Sequence, residues 1–158
     1  MAPLKRGRGR IVLLLTLLVV LAACRPLPPS AGNPSDLKER YVHQIIFDMR
    51  DSFAAADVQG FMRHVSEGFY GGYTRLEESL ARTLGAGAPS SLTVEIGAIS
   101  TEGSKVIALV KWRRTSSVGG EGGKGSPLRG ESLFVFHSSD KITLVAVEKD
   151  SLFGIEGF

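Results

Sequence analysis

The spacing of hydrophobic and polar positions changes character several times along this chain, and each change marks a boundary. Lys5, Arg6, Arg8 and Arg10 precede an apolar run from Ile11 to Ala23 that only Thr16 interrupts. Between Arg25 and Ser35 the pattern gives way to Pro26, Pro28, Pro29 and Pro34 with Ser30, Gly32 and Asn33. From Asp36 to about Ala56, Val42, Ile45, Ile46, Met49 and Phe53 recur at steps of three and four, which predicts one apolar face of a long helix. Asp57 reads as the cap of a short second helix that buries Phe61, Met62 and Val65. After the break at Gly68 to Gly72, Thr74 and Glu77 stand at capping-box spacing ahead of Leu76, Leu80 and Leu84, a third helix closed by Gly85, Gly87 and Pro89.

From Leu92 the period falls to two. Leu92, Val94, Ile96 and Ala98 alternate with Thr93, Glu95 and Gly97, then Glu102 to Ser104 turns the chain. Val106, Ala108, Val110 and Trp112 share one face of the next strand. Ile107 and Leu109 are apolar on the other, which predicts cover on both sides. A glycine-rich connection over Ser116 to Pro127 leads to strands near Gly130 to His137 and Lys141 to Glu148, joined by the tight turn Ser138 to Asp140. Sequential strands with short turns pair antiparallel. Helices first and strands afterwards make an α+β fold.

The front of the chain carries an address. A positive head and an apolar stretch of about thirteen residues describe a secretory signal peptide. At 1.5 Å per residue that stretch spans about 20 Å, short of the roughly 30 Å a membrane-crossing helix needs. Its end, Leu21, Ala22, Ala23 and Cys24, resembles the lipobox of bacterial lipoproteins. The resemblance implies cleavage between Ala23 and Cys24, a diacylglyceryl group on the Cys24 sulfur, and acylation of the new amino terminus. Stable anchoring takes two or more acyl chains, because one binds only marginally. Arg25 follows where inner-membrane retention favours Asp, so the same resemblance points to the periplasmic side of the outer membrane. The expected organisation is therefore a leader over 1–23, a lipidated tether over 24–35 and a folded domain over 36–158. The proline-rich tether extends at about 3.1 Å per residue and lets the domain stand roughly 30 Å from the bilayer.

Composition narrows the functions. The chain carries 19 Lys and Arg against 16 Asp and Glu. Four of the basic residues belong to the leader, so the rest has one more acidic than basic side chain. A nucleic-acid partner would need a basic patch of a kind that balance does not supply. Cys24 is the only cysteine, so with its sulfur lipidated the chain has no disulfide, thiolate metal ligand or cysteine nucleophile. His43, His64 and His137 do not stand at metal-ligating intervals, and neither a metal nor a cofactor is expected. The run Gly119 to Ser126 lacks phosphate-loop spacing and precedes a strand, where a phosphate loop precedes a helix; it reads as a hairpin tip.

The order of elements resembles the nuclear-transport-factor-2-like superfamily, the cone-shaped fold shared with ketosteroid isomerase and scytalone dehydratase. The residues that carry the likeness are the long helix ending Phe53 to Asp57, then Phe61 to Phe69 and Leu76 to Leu80. They continue through the strand ending Val110 to Trp112 and the closing segment Leu144 to Asp150 before Phe153 and Gly154. The resemblance implies a curved antiparallel sheet wrapped around the first helix, a pocket at the open end of the cone, and dimerisation through the sheet. Enzymes of the superfamily place an Asp or His base in that pocket beside Tyr or Asp donors, and no such set transfers here residue by residue. The pocket candidates are Tyr41 and His64 on the first two helices, Tyr70 and Tyr73 in an aromatic loop, and Trp112 on the inner strand face. Arg113 and Arg114 read as solvated charges at a strand end.

Three functions follow from this reading. The first is a lipid-anchored, non-catalytic envelope domain that binds a small apolar ligand or an envelope protein. The second is an assembly lipoprotein that docks or dimerises through its sheet. The third is an isomerase or dehydratase with Asp48, His64 or Tyr41 inside the cone.

Overall fold

A computed structural model describes residues 34–85, 89–116, 127–155 and 157. The leader, Cys24, the tether up to residue 33 and the glycine run Gly119 to Ser126 lie outside the described residues. Among the described residues, no helix is long and apolar enough to cross a membrane.

Helix α1 runs Pro34–Ala54. It opens two residues ahead of the predicted start, since Pro34 costs nothing in a first turn where its N–H would have no partner. Its buried face is Val42, Ile46, Met49 and Phe53, the predicted stripe, with Ile45 only partly covered. The helix stops at Ala54, and Ala56 turns the chain at φ 55. Asp57 caps α2 (Val58–Met62) as expected, its Oδ1 accepting the Gly60 N–H at 2.8 Å. Helix α3 (Tyr73–Gly85) begins one residue early, so Thr74 lies inside the first turn and is not the cap. Gly72, at φ +97, makes that entry turn.

Strands β1 (Pro89–Glu102), β2 (Lys105–Ser116), β3 (Leu128–Ser138) and β4 (Ile142–Lys149) form one antiparallel sheet in the order β1-β2-β3-β4. Pro89, expected to close a helix, instead begins the edge strand β1, where a missing N–H is tolerated. Besides a register shift at the start of β1 between Pro89 and Ser91, two bulges bend the sheet. The first, between Ile96 and Ile99, moves the inward position on to Ile99 and leaves Ala98 exposed, so the predicted inward Ala98 is corrected. The second lies in the β3–β4 ladder between Val135 and Phe136.

The concave face supplies Val106, Ala108, Val110, Trp112, Phe134, Phe136 and Leu144, which pack with the buried faces of the helices into one core. Each of the larger side chains contributes roughly 1.5–3 kcal/mol by leaving water. The chain after β4 folds back onto this core: Leu152, Phe153 and Ile155 are fully buried, with Leu152 and Ile155 joined as a bridge. On the convex face Ile107, Leu109 and Leu133 are half-exposed. Val135, opposite Ile107 on the same face, is buried, so the predicted second cover over β2 is partial among the described residues.

Candidate functional site

Among the described residues, aromatic side chains pack against one another inside the curve of the sheet, where the superfamily resemblance implies a pocket. Phe153 lies 5.8 Å from Phe53, 6.3 Å from Phe61 and 5.6 Å from Phe134, ring centre to ring centre. Trp112 is buried; its Nε1–H donates to Ser132 Oγ at 3.1 Å. The Ser132 hydroxyl faces the carbonyls of Ser151 and Asp150 at 3.0 and 3.3 Å, which ties the C-terminal segment across the opening. Arg114, expected in solvent, points inward instead, its guanidinium carbon 5.9 Å from the centre of the Phe53 ring. Alternation accounts for this, because Arg114 continues the inward series Val110 and Trp112.

A groove of about 580 Å³ lies outside the cone, between α1 and the β3–β4 turn. Leu37, Tyr41 and Ile45, four apart on α1, form one wall beneath Asp48; Asp140, Lys141 and Ile142 form the other. This stripe lies beside the buried one, about a hundred degrees round the helix. Tyr41 is 63% exposed and Leu37 44% exposed. Tyr41 thus does not enter the cone, and that expectation is corrected. The far wall is held in place by backbone hydrogen bonds. Leu144 N–H donates to the His64 carbonyl and Ser66 N–H to the Leu144 carbonyl, both at 2.9 Å, while Lys141 Nζ donates to the Arg63 carbonyl at 2.9 Å.

His64 closes one end of the groove. Its Nε2 accepts from Arg63 Nε at 3.3 Å and lies 3.8 Å from Asp48 Oδ2, whose partner oxygen accepts from Gln44 Nε2 at 2.7 Å. Burial holds the imidazole pKa below its ordinary value, helped by Arg63 and Lys141 and opposed by Asp48. At neutral pH the ring is therefore neutral and already an acceptor for Arg63, so its free basicity is low. The groove brings Tyr41, His64 and Asp48 together, but around an open channel with polar ends that are already bonded.

The other candidates separate. Tyr70 is 84% exposed, Tyr73 packs half-buried against the core, and the neighbouring Phe69 is buried. The aromatic loop therefore plugs with Phe69 and Tyr73 and leaves Tyr70 outside. His43 is half-buried with its ring 6.4 Å from that of Phe47, and His137 is exposed. Asp51 pairs with Arg50 at 2.6 Å, away from Asp48. Among the described residues, no group of three or more His, Cys, Asp or Glu is placed to hold a metal. The periodicity missed Leu37 and the turn residues Asp140 to Ile142; the spacing Leu37, Tyr41, Ile45 was the available signal for the first.

A helix-filled curved antiparallel sheet with this element order is the nuclear-transport-factor-2-like fold. No family model matches the sequence, and no curated protein sequence matches it either. Among solved structures, a nuclear-transport-factor-2-like superfamily protein from Salmonella enterica serovar Typhimurium is similar at TM-score 0.57 and 18% identity, over 78% of this chain and 99% of that one. A single-residue variant of the function-unknown protein Rv3472 from Mycobacterium tuberculosis is similar at TM-score 0.62 and 14% identity, over 78% and 79%. Bd1075 from Bdellovibrio bacteriovorus is similar at TM-score 0.58 and 13% identity over 84% of this chain, which spans 53% of that protein's length. At these identities the likeness is one of fold.

Proposed function

We propose that this chain is a lipid-anchored, non-catalytic binding domain of the bacterial envelope. Its site is the groove between α1 and the β3–β4 turn, and its ligand is a small apolar molecule or an apolar segment of an envelope protein. One observation carries this reading: aromatic side chains pack against one another inside the cone, while Leu37 and Tyr41 stand exposed in a groove walled by Ile45 and Ile142. Lys38, Lys141 and Gln44 already have partners, so the groove offers chiefly apolar surface and the Tyr41 hydroxyl. An acid–base reaction would want two convergent groups in a closed, water-poor cavity. His64 and Asp48 meet at an open channel instead.

The test is purification of the chain from native membranes in mild detergent, with mass spectrometry of whatever small molecules or proteins accompany it. Combining Leu37→Glu with Tyr41→Ala should leave the melting temperature within a few degrees and reduce the accompanying species at least about tenfold. In parallel, Cys24→Ser should abolish carbonate-resistant membrane attachment. An undiminished ligand in the groove variant would exclude the groove; carbonate-resistant attachment of the Cys24→Ser chain would exclude the anchor.

A second reading has its own observation. Ile107, Leu109 and Leu133, with buried Val135, form an apolar strip on the convex face, with Ile107 opposite Val135 and Leu109 opposite Leu133. Such a strip suits assembly through the sheet. Leu109→Lys should then convert a self-associated chain to monomer in analytical ultracentrifugation; a wild-type chain that is monomeric at tens of micromolar would count against this reading.

A further inference from the structure

The opposite end of the convex face, at the β2–β3 hairpin, carries a different chemistry. Arg113 and Arg129 are direct cross-strand partners, so their side chains leave the sheet on the same face, and both are exposed. Thr93 is the partner of Arg113 on the other side, so a hydroxyl and two guanidinium groups stand in one row across three strands. Among the described residues, neither arginine has a carboxylate within ion-pair distance. Like charges placed directly opposite each other in a sheet repel and destabilise it.

The arginines border a depression of about 630 Å³ floored by the strands at Trp112 and Gly130. Lys111 adds a third cation to its rim. Carboxylates line it too: Glu95, Glu131 and Asp150. Glu131 Oε1 accepts from Lys149 Nζ at 2.9 Å, Asp150 Oδ2 accepts the Glu131 N–H at 2.7 Å, and Glu95 lies opposite Lys111 in register. The row itself holds two cations and no carboxylate, in a geometry of forked N–H donors that matches the oxygens of a phosphate group.

We propose that Arg113 and Arg129, assisted by Thr93 and Lys111, form an oxyanion site on the convex face that takes a phosphate group. Two sources share that chemistry, a free phosphate and the headgroup of an anionic phospholipid. The site is separate from the α1 groove, and its proof or failure leaves the groove reading where it stood.

Binding at this face is read by isothermal titration calorimetry, since the Trp112 indole points to the opposite, inner face of the sheet. The full chain in maltoside micelles, whose headgroups carry no phosphate, is titrated with inorganic phosphate, with sodium chloride matched for ionic strength. A second arm dopes the micelles with phosphatidylglycerol. Saturable heat with inorganic phosphate identifies a free-phosphate site, and saturable heat only with phosphatidylglycerol-doped micelles identifies a headgroup site. In either case Arg113→Gln and Arg129→Gln should each weaken binding about tenfold or more. Removing one of two facing charges should leave the melting temperature unchanged or raised, so loss of binding will not reflect loss of fold. Silence in both arms, or a double variant that binds as the wild type does, overturns the proposal.

Discussion

Phe153→Ala should lower the stability of the domain by about 3–5 kcal/mol, the range for emptying a large aromatic site in a core. The ring is fully buried and touches Phe53, Phe61 and Phe134, so its loss removes three aromatic contacts besides its own area. Nothing nearby is free to collapse into the space, because α1 and the sheet hold two of those partners from opposite sides. The backbone offers no compensation either: Phe153 sits at φ 52, a conformation alanine adopts no more readily. For a domain of this size the melting temperature should fall by about 10 °C or more. Tyr70→Ala, at an 84% exposed position, should stay within about 0.5 kcal/mol of wild type. Benzene should partly restore the melting temperature of Phe153→Ala and not change that of the wild type, since an apolar void of this kind stays dry and accepts such a probe. A loss below about 1 kcal/mol would mean that the C-terminal segment does not close the cone and that the cone is open to a ligand.

That closing segment is also where the sequence was hardest to read. Leu152, Phe153 and Ile155 have neither a helical nor a strand period, so no pattern announced that all three are core. By contrast, the buried stripe of α1 was legible because four turns of helix repeat it. The same helix shows why Tyr41 was misplaced. It is adjacent in sequence to Val42, and one step along a helix rotates a side chain by about a hundred degrees, out of the core and into the groove. The β1 bulge was not legible, because Ile96, Gly97, Ala98 and Ile99 fit uninterrupted alternation until Ile99 is seen to face inward. Arg114 was legible and was passed over: alternation put it inside, and its charge suggested solvent. The facing of Arg113 and Arg129 depends on strand register, which could not be read across a long glycine-rich connection. The fold thus showed in repeated patterns, while both candidate sites arise where elements meet.

Gly130→Ala is expected to cost about 2–5 kcal/mol, through a clash that spreads by hydrogen bonds. Gly130 is the cross-strand partner of Trp112, and the indole occupies the space a side chain there would need. A Cβ there would stand 2.4 Å from Trp112 Cζ2, 2.7 Å from Cε2 and 3.0 Å from Asp150 Oδ2. The ring is rigid and packed against Gly154, where an added Cβ would lie 3.3 Å from its Cη2, so it must tilt outward. Tilting breaks the bond from Nε1 to Ser132 Oγ, and that hydroxyl also holds the carbonyls of Asp150 and Ser151. The substitution therefore loosens the start of the segment that carries Leu152 and Phe153. Two measurements separate this chain of effects from simple overpacking. Excitation of the lone tryptophan should show a red-shifted emission in Gly130→Ala, as the indole meets water. Ser132→Ala, which removes the hydroxyl and adds no volume, should cost about 1–3 kcal/mol alone but much less in the Gly130→Ala background, because the bond is already broken there. Additive losses with an unshifted emission would show that the indole stays in place and that the strain is absorbed by the sheet.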